Sequence, residues 1–226
     1  MDNLKTDGAT VDLKYSTYLF DLDGTLVDSM PSFVSVMLRI LDENRVKYDS
    51  DIIKIITPLG YHGTAKYYVE RFGLKQSESE LVELMNQYAY DEYAYRIKAK
   101  SNVIETVKAL KSKGADLNVL TASPHRVLDV CLKRLGLFEF FTNVWSCDDF
   151  QTTKADPEIY RMAAERLGKD VGEILFLDDN YNADKTAASA GMMVCGVYDS
   201  SSEDYTQDII RVSNHYIKDF SEILTL

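Results

Sequence analysis

Four stretches of the chain carry side chains whose types and spacing can do chemistry. Asp21 and Asp23 flank Leu22 at the end of an apolar run, residues 15–20. Side chains of an extended segment alternate, so both carboxylates fall on one side where the run stops, and Gly24 permits a sharp turn there. Two close carboxylates repel each other and take up protons unless a cation neutralises them, which makes an oxygen-liganded ion such as Mg²⁺ a natural occupant. Asp-x-Asp alone is satisfied equally by two solvated turn residues. The other three stretches change the balance. Asp178-Asp179 ends the apolar run 174–177, Thr121 and Ser123 follow the run 117–120, and Lys154 precedes a helix start at Asp156-Pro157. Ser123, directly before Pro124, also has the form of an N-cap for the next helix.

The elements that must position these groups can be read from periodicity. Short apolar runs at 15–20, 117–120, 143–146, 174–177 and 193–197 read as buried strands, with a last one at 216–217. Helical spacing fills the gaps. Asn102 and Glu105 open a helix bearing Val103, Val107 and Leu110, the next carries Val127, Leu128, Cys131 and Leu132, another spans 183–190, and a last begins at Phe220. Strands alternating with crossover helices must run parallel. Between the first strand and the rest, Val34, Met37, Leu38 and Leu41 follow Pro31 at helical spacing, and Leu81, Leu84, Met85 and Tyr88 follow a Ser77/Glu80 capping box. The expected fold is α/β: a Rossmann-like parallel sheet with helices on both faces, built from residues 15–30 and 97–226, plus an inserted α-helical cap over residues 31–96. Residues 1–14 are polar and read as a flexible extension. Ligands of open parallel sheets bind at the carboxyl ends of the strands, and the insert follows one such end, so it is placed to roof the site.

Composition narrows the function classes. A net charge of -11 repels phosphate backbones and anionic lipid, which argues against a nucleic-acid or membrane-surface partner. Cys131, Cys147 and Cys195 form no CxxC pair and lie in apolar surroundings, so buried free thiols are expected. No apolar run approaches the ~20 residues of a membrane span, and the chain reads as a cytoplasmic protein, a monomer or weak dimer.

The run Phe20-Asp21-Leu22-Asp23-Gly24-Thr25-Leu26-Val27-Asp28-Ser29 closely resembles the first motif of the haloacid dehalogenase superfamily, and the Thr121, Lys154 and Asp178-Asp179 stretches resemble its remaining motifs in order. The helical insert resembles, in size and position, the α-helical cap of the phosphatase and β-phosphoglucomutase branch. This resemblance implies that Asp21 is a nucleophile forming an aspartyl phosphate. Asp23 is implied as general acid and base, its main-chain carbonyl also touching the metal; the superfamily's dehalogenases lack this acid, so phosphoryl transfer is favoured over carbon–halogen cleavage. It further implies that Thr121 and the following N–H of Ala122 hold phosphoryl oxygens, that Lys154 neutralises nucleophile and phosphate, and that Asp179 binds Mg²⁺ with Asp178 behind it. Ala155 stands where that family usually has proline. Asp184 is one residue out of register with an optional later acid and reads either as a ligand or as a solvated helix-start acid.

Substrate choice is expected from a cap loop facing the phosphate site, read as Gly60-Tyr61-His62-Gly63 with Lys66 just beyond. The mutase branch carries a basic residue where this chain has Gly63, which disfavours a sugar phosphate mutase. The tyrosines at 67, 68, 88, 90, 93 and 95 read as cap packing. The leading expectation is an Mg²⁺-dependent phosphatase acting on a small phosphorylated metabolite. A β-phosphoglucomutase-like mutase is the alternative within the family, and a catalytically weak phospho-metabolite or partner-binding protein the alternative outside it.

Overall fold

A computed structural model describes residues 13–226. Six strands form one parallel sheet in the order β3-β2-β1-β4-β5-β6: β1 Thr17–Phe20, β2 Asp116–Thr121, β3 Asn143–Ser146, β4 Ile174–Asp178, β5 Met193–Val197 and β6 His215–Ile217. The order reverses between β1 and β4, the switch point at which open sheets of this kind take their ligands. Burial on both faces explains why the strands read as continuous apolar runs. Tyr18 and Phe20 of β1 join the core on one face while Leu19 joins the other, and β4 divides in the same way, Leu175 and Leu177 against Ile174 and Phe176. Helices cover both faces: α5 Val103–Ser112, α6 His125–Arg134, α7 Glu158–Leu167, α8 Tyr181–Ala190 and α9 Thr206–Val212.

Between β1 and α5 come α1 Met30–Glu43, α2 Ile52–Ile56, α3 Gly60–Phe72 and α4 Glu78–Tyr95. They bury a core of their own around Met37, Ile40, Leu41, Ile56, Tyr68 and Met85. Tyr68 donates its hydroxyl to the Met37 carbonyl at 3.1 Å, and Ser77 and Glu80 close a reciprocal capping box at the start of α4. The two chain segments entering and leaving this group run side by side: the Asp28 N–H donates to the Lys98 carbonyl at 2.9 Å and the Lys100 N–H to the Leu26 carbonyl at 3.1 Å. Helix α4 packs on α6, which brings the insert against the sheet's carboxyl end.

Several local expectations are corrected. Residues 60–63 are not a loop; they form the first turn of α3, preceded by the short 3₁₀ turn Thr57–Leu59. Two glycines suggested a break, yet only Gly60 has a positive φ, and Gly63 serves close packing, since a Cβ there would sit 2.9 Å from the Leu59 Cβ. Asn102 does not cap α5 with its side chain. Its backbone is left-handed and its amide donates to the Asp219 carboxylate at 2.8 Å. The segment from Phe220 is a 3₁₀ turn, Phe220–Thr225, and α9 had no counterpart in the sequence pattern. The flexible extension falls, for residues 1–12, outside the described residues; Leu13 packs against the sheet core. The three cysteines are buried and free, and no helix among the described residues is long and apolar enough to cross a membrane.

Candidate active site

Strand register assembles the acidic cluster. Phe20 pairs with Leu177, and the Asp21 N–H continues the ladder to the Leu177 carbonyl at 2.8 Å, so Asp21 leaves β1 level with Asp178 at the end of β4. One carboxylate oxygen from each of Asp21, Asp178 and Asp179 lies within 4.8 Å of the others. The Lys154 ammonium enters this group 2.5 Å from Asp21 Oδ1, as an ion pair outside hydrogen-bond alignment, and donates to Asp178 Oδ2 at 2.7 Å. The second Asp178 oxygen accepts the Asn180 N–H at 2.7 Å. Asp179 accepts the Thr25 hydroxyl at 3.1 Å. Gly24 turns with φ +74°, and a Cβ on it would lie 2.4 Å from Asp179 Oδ2, so the close approach of turn and carboxylate requires glycine.

Asp184 corrects the picture of a solvated helix-start acid. It is fully buried (0% exposed), and neither of its carboxylate oxygens has a hydrogen-bond partner among the described residues. Asp21, Asp178, Asp179 and Asp184 are thus four buried carboxylates set against one part-buried ammonium, a surplus of three negative charges if all ionise. The protonation behaviour follows from that surplus. Burial outweighs the pull of Lys154 and, helped by the charges of Asp178 and Asp23, pushes Asp21 up to about 7. Asp179 and Asp184 are raised well above the carboxylate range, first by burial and then by Asp178 and further neighbouring carboxylates. Burial would lower Lys154, but Asp178 and Asp21 overcome it and hold the ammonium protonated. An oxygen-only set with excess negative charge and an orphaned buried carboxylate fits a hard divalent cation.

Asp23 faces elsewhere. Its Oδ1 accepts the Ser29 hydroxyl at 2.7 Å and the Tyr93 hydroxyl of α4, and its Oδ2 accepts the Ser123 hydroxyl at 2.6 Å. Ser123 is therefore not the helix cap expected of it; Pro124 occupies the N-cap without a side-chain bond. Tyr93, read from sequence as cap packing, reaches the site. Burial and then the Asp23 charge raise its hydroxyl, which remains a neutral donor. Thr121 is buried, and its Oγ1 accepts the Ser123 N–H at 3.1 Å. Asp21, Thr121, Lys154, Asp178 and Asp179 line one cavity of about 390 Å³. Asp23, Met30 and Ala122 form its border with a second cavity of about 530 Å³, walled by Phe33, Tyr61 and Tyr93 from the insert and by Val127 from α6.

The expected specificity group separates. Gly60 starts α3, and Tyr61 lines the second cavity, its ring 5.3 Å from that of Phe33. His62 and Lys66 are exposed and line neither cavity, and Lys66 lies 4.0 Å from Glu70 on the outer face of α3. Helical rather than loop geometry turns positions 62 and 66 away. Ser29, Phe33, Asn86 and Arg126 border the cavity without having been read as site residues. For Ser29 the signal was its place in the Asp21 motif; for the others only the packing of α1 and α4 against α6 reveals it.

Comparison with known proteins agrees with this architecture. The haloacid dehalogenase-like hydrolase family matches residues 15–191, and the chain belongs to that family. It is a hydrolase built on the family's Rossmann-like fold. Among named relatives, it is 29% identical over 189 residues to the pyrophosphatase PpaX of Bacillus velezensis, an alignment covering 82% of this chain and 84% of that one. Its fold is shared with a provisionally assigned β-phosphoglucomutase from Thermotoga maritima, with TM-score 0.83, 24% identity, and coverage of 93% of this chain and 97% of that one. It also matches a family hydrolase from Deinococcus radiodurans whose crystal holds phosphate and sodium, with TM-score 0.74, 21% identity and 94% of each chain covered.

Proposed function

We propose that the protein is an Mg²⁺-dependent phosphatase that hydrolyses a small phosphate monoester through an aspartyl phosphate on Asp21. The observation that carries this reading is the convergence of Asp21, Asp178, Asp179 and Lys154 at the switch point of the sheet, with Asp23 on the border of an adjoining cavity. The phosphoryl group occupies the smaller cavity, where Lys154, the Thr121 hydroxyl and the N–H of Ala122 receive its oxygens. A carboxylate oxygen of Asp21 attacks phosphorus, the bond to the ester oxygen breaks, and Asp23 gives its proton to the leaving alkoxide. In the second half Asp23 takes a proton from water, the water oxygen attacks phosphorus, and the Asp21 carboxylate departs.

Both oxygens of Asp178 are already engaged, by Lys154 and the Asn180 N–H, so Asp178 orients the ammonium while Asp21, Asp179 and the Asp23 main-chain carbonyl hold the ion. When bound, Mg²⁺ supplies the positive charge that lets an anionic nucleophile meet an anionic phosphate. Asp184, near enough to Asp178 and Asp179 to feel their charge, would add negative charge in favour of the ion. Helices α1–α4 act as a cap, residues 31–96, hinged near Ser29 and Ile97 and closing to exclude water.

The test is release of phosphate from a phosphate ester panel with Mg²⁺, with EDTA, and after Mg²⁺ is restored. Activity should stop and return. Activity surviving chelation would overturn the metal assignment, and inactivity on every ester would leave the binding-protein reading.

A further inference from the structure

We infer that the leaving group of the substrate is a largely apolar alcohol, aromatic or branched, and that the preferred substrates are aryl-alkyl or alkyl monophosphates rather than pyrophosphate or sugar phosphates. This rests on the phosphatase reading and deepens it. The cavity beyond Asp23, about 530 Å³, is the space that an ester's leaving group enters once its phosphoryl group lies against Asp21. Such a volume falls in the range of small-molecule sites, roughly 300–1,000 Å³, and far exceeds what a second phosphate needs.

The chemistry of the wall sets the class. Met30, Phe33, Tyr61, Ala89, Pro124 and Val127 supply most of it. The Phe33 and Tyr61 rings lie 5.3 Å apart and nearly parallel, at 17°, presenting a flat aromatic surface. Most of the lining hydroxyls are already committed. The hydroxyls of Ser29, Ser123 and Tyr93 all donate to Asp23. Arg126, the one cation among the described lining residues, donates to Gln87 Oε1 at 3.3 Å, lies 3.8 Å from Glu83 and sits over the Tyr90 ring. The Asn86 amide and the Tyr61 hydroxyl are the lining groups left to meet a ligand's polar atoms. A polyol placed here would lose water from several hydroxyls and regain few hydrogen bonds, and each group left unpaired weakens binding. A leaving phosphate would bring its charge into a largely apolar cavity whose one lining cation, Arg126, already pairs with Gln87 and Glu83. An aromatic or branched alkyl group loses nothing comparable and buries apolar surface against the stacked rings.

The experiment compares kcat/KM for benzyl phosphate, isoamyl phosphate, glycerol 3-phosphate, glucose 6-phosphate, glucose 1-phosphate and inorganic pyrophosphate, with acetyl phosphate as an activated substrate whose small leaving group makes little use of the cavity. Benzyl or isoamyl phosphate should exceed every polyol phosphate and pyrophosphate by at least about tenfold. Tyr61→Ala should lower the ratio of benzyl phosphate to acetyl phosphate by about fivefold or more, and Phe33→Leu, a milder change, should move it the same way. If acetyl phosphate is hydrolysed but pyrophosphate or a sugar phosphate is preferred, the inference is overturned while the phosphatase reading stands. If no compound, acetyl phosphate included, is hydrolysed, both fall. A wild-type preference for apolar esters that neither variant erodes would assign that preference to a different surface and overturn the inference as well.

Discussion

Replacing Lys154 with methionine removes one positive charge from the acidic cluster while keeping the length of the side chain. The ammonium lies 2.5 Å from Asp21 Oδ1 and 2.7 Å from Asp178 Oδ2. At an effective dielectric of about 20, each contact is worth about 6 kcal/mol of gross attraction. Much of that is cancelled by the cost of burying the ammonium, and removal of one partner of a buried ion pair costs roughly 3–5 kcal/mol net. For a chain of this length about 1 kcal/mol corresponds to roughly 2–4 °C, so metal-free Lys154→Met should melt about 6–20 °C below wild type at pH 8. The loss should shrink at pH 5. Burial, with the neighbouring carboxylates helping, holds the folded Asp21 up at about 7, against an ordinary value of 3.8. Folded chains therefore keep a proton that unfolded chains have released, and the stability present below pH ~4 is lost as pH rises towards 7. Without Lys154 the carboxyl moves higher still, which extends the loss into the alkaline range. Circular dichroism melts in EDTA at the two pH values measure this. A variant melting within about 2 °C of wild type at pH 8 would refute the reasoning.

Other substitutions probe separate groups. Tyr93→Phe removes one of three hydroxyls on Asp23; a hydrogen bond to a charged acceptor is worth roughly 1.5–3 kcal/mol, so kcat/KM for esters with poor leaving groups should fall about 10- to 100-fold, with a smaller loss for acetyl phosphate, as steady-state kinetics would reveal. Asp184→Asn removes an unpartnered buried carboxylate; the metal-free protein should melt higher at pH 8 while Mg²⁺ binds less tightly by calorimetry. Gly24→Ala imposes strain at φ +74° and drives a methyl group into Asp179, so Mg²⁺ affinity should collapse even where a folded protein is recovered.

The sheet was legible because strands buried on both faces are short apolar runs, and four of those runs end in or lead to the polar residues of the site. Asp21, Asp178, Asp179, Thr121 and Lys154 come from three strand ends and one loop, and parallel register alone draws them together. Where local rules compete with long-range contacts, sequence reading failed. Ser123 before Pro124 has the local form of a helix cap, but its hydroxyl is taken by Asp23, 100 residues away in sequence. Tyr93 is one of several tyrosines at helical spacing, and only the packing of α4 on α6 selects it. Asp184 read either as a ligand or as a solvated helix-start acid, and its complete burial at the sheet end, which local sequence does not reveal, removes the second alternative. The glycines at 60 and 63 mark a helix start and a close contact, which a single sequence does not distinguish from a loop.

If phosphate passes through a covalent bond to Asp21, that bond can be trapped. The enzyme would be mixed with an excess of ³²P-labelled ester, quenched in acid within milliseconds, reduced with borohydride and digested for mass spectrometry. Label should stay with the denatured protein, be released by hydroxylamine as expected of an acyl phosphate, and leave homoserine at position 21 after reduction, with Asp21→Asn retaining none. Phosphate released in the first turnover with no label on the chain, or label mapped to another residue, would contradict the account.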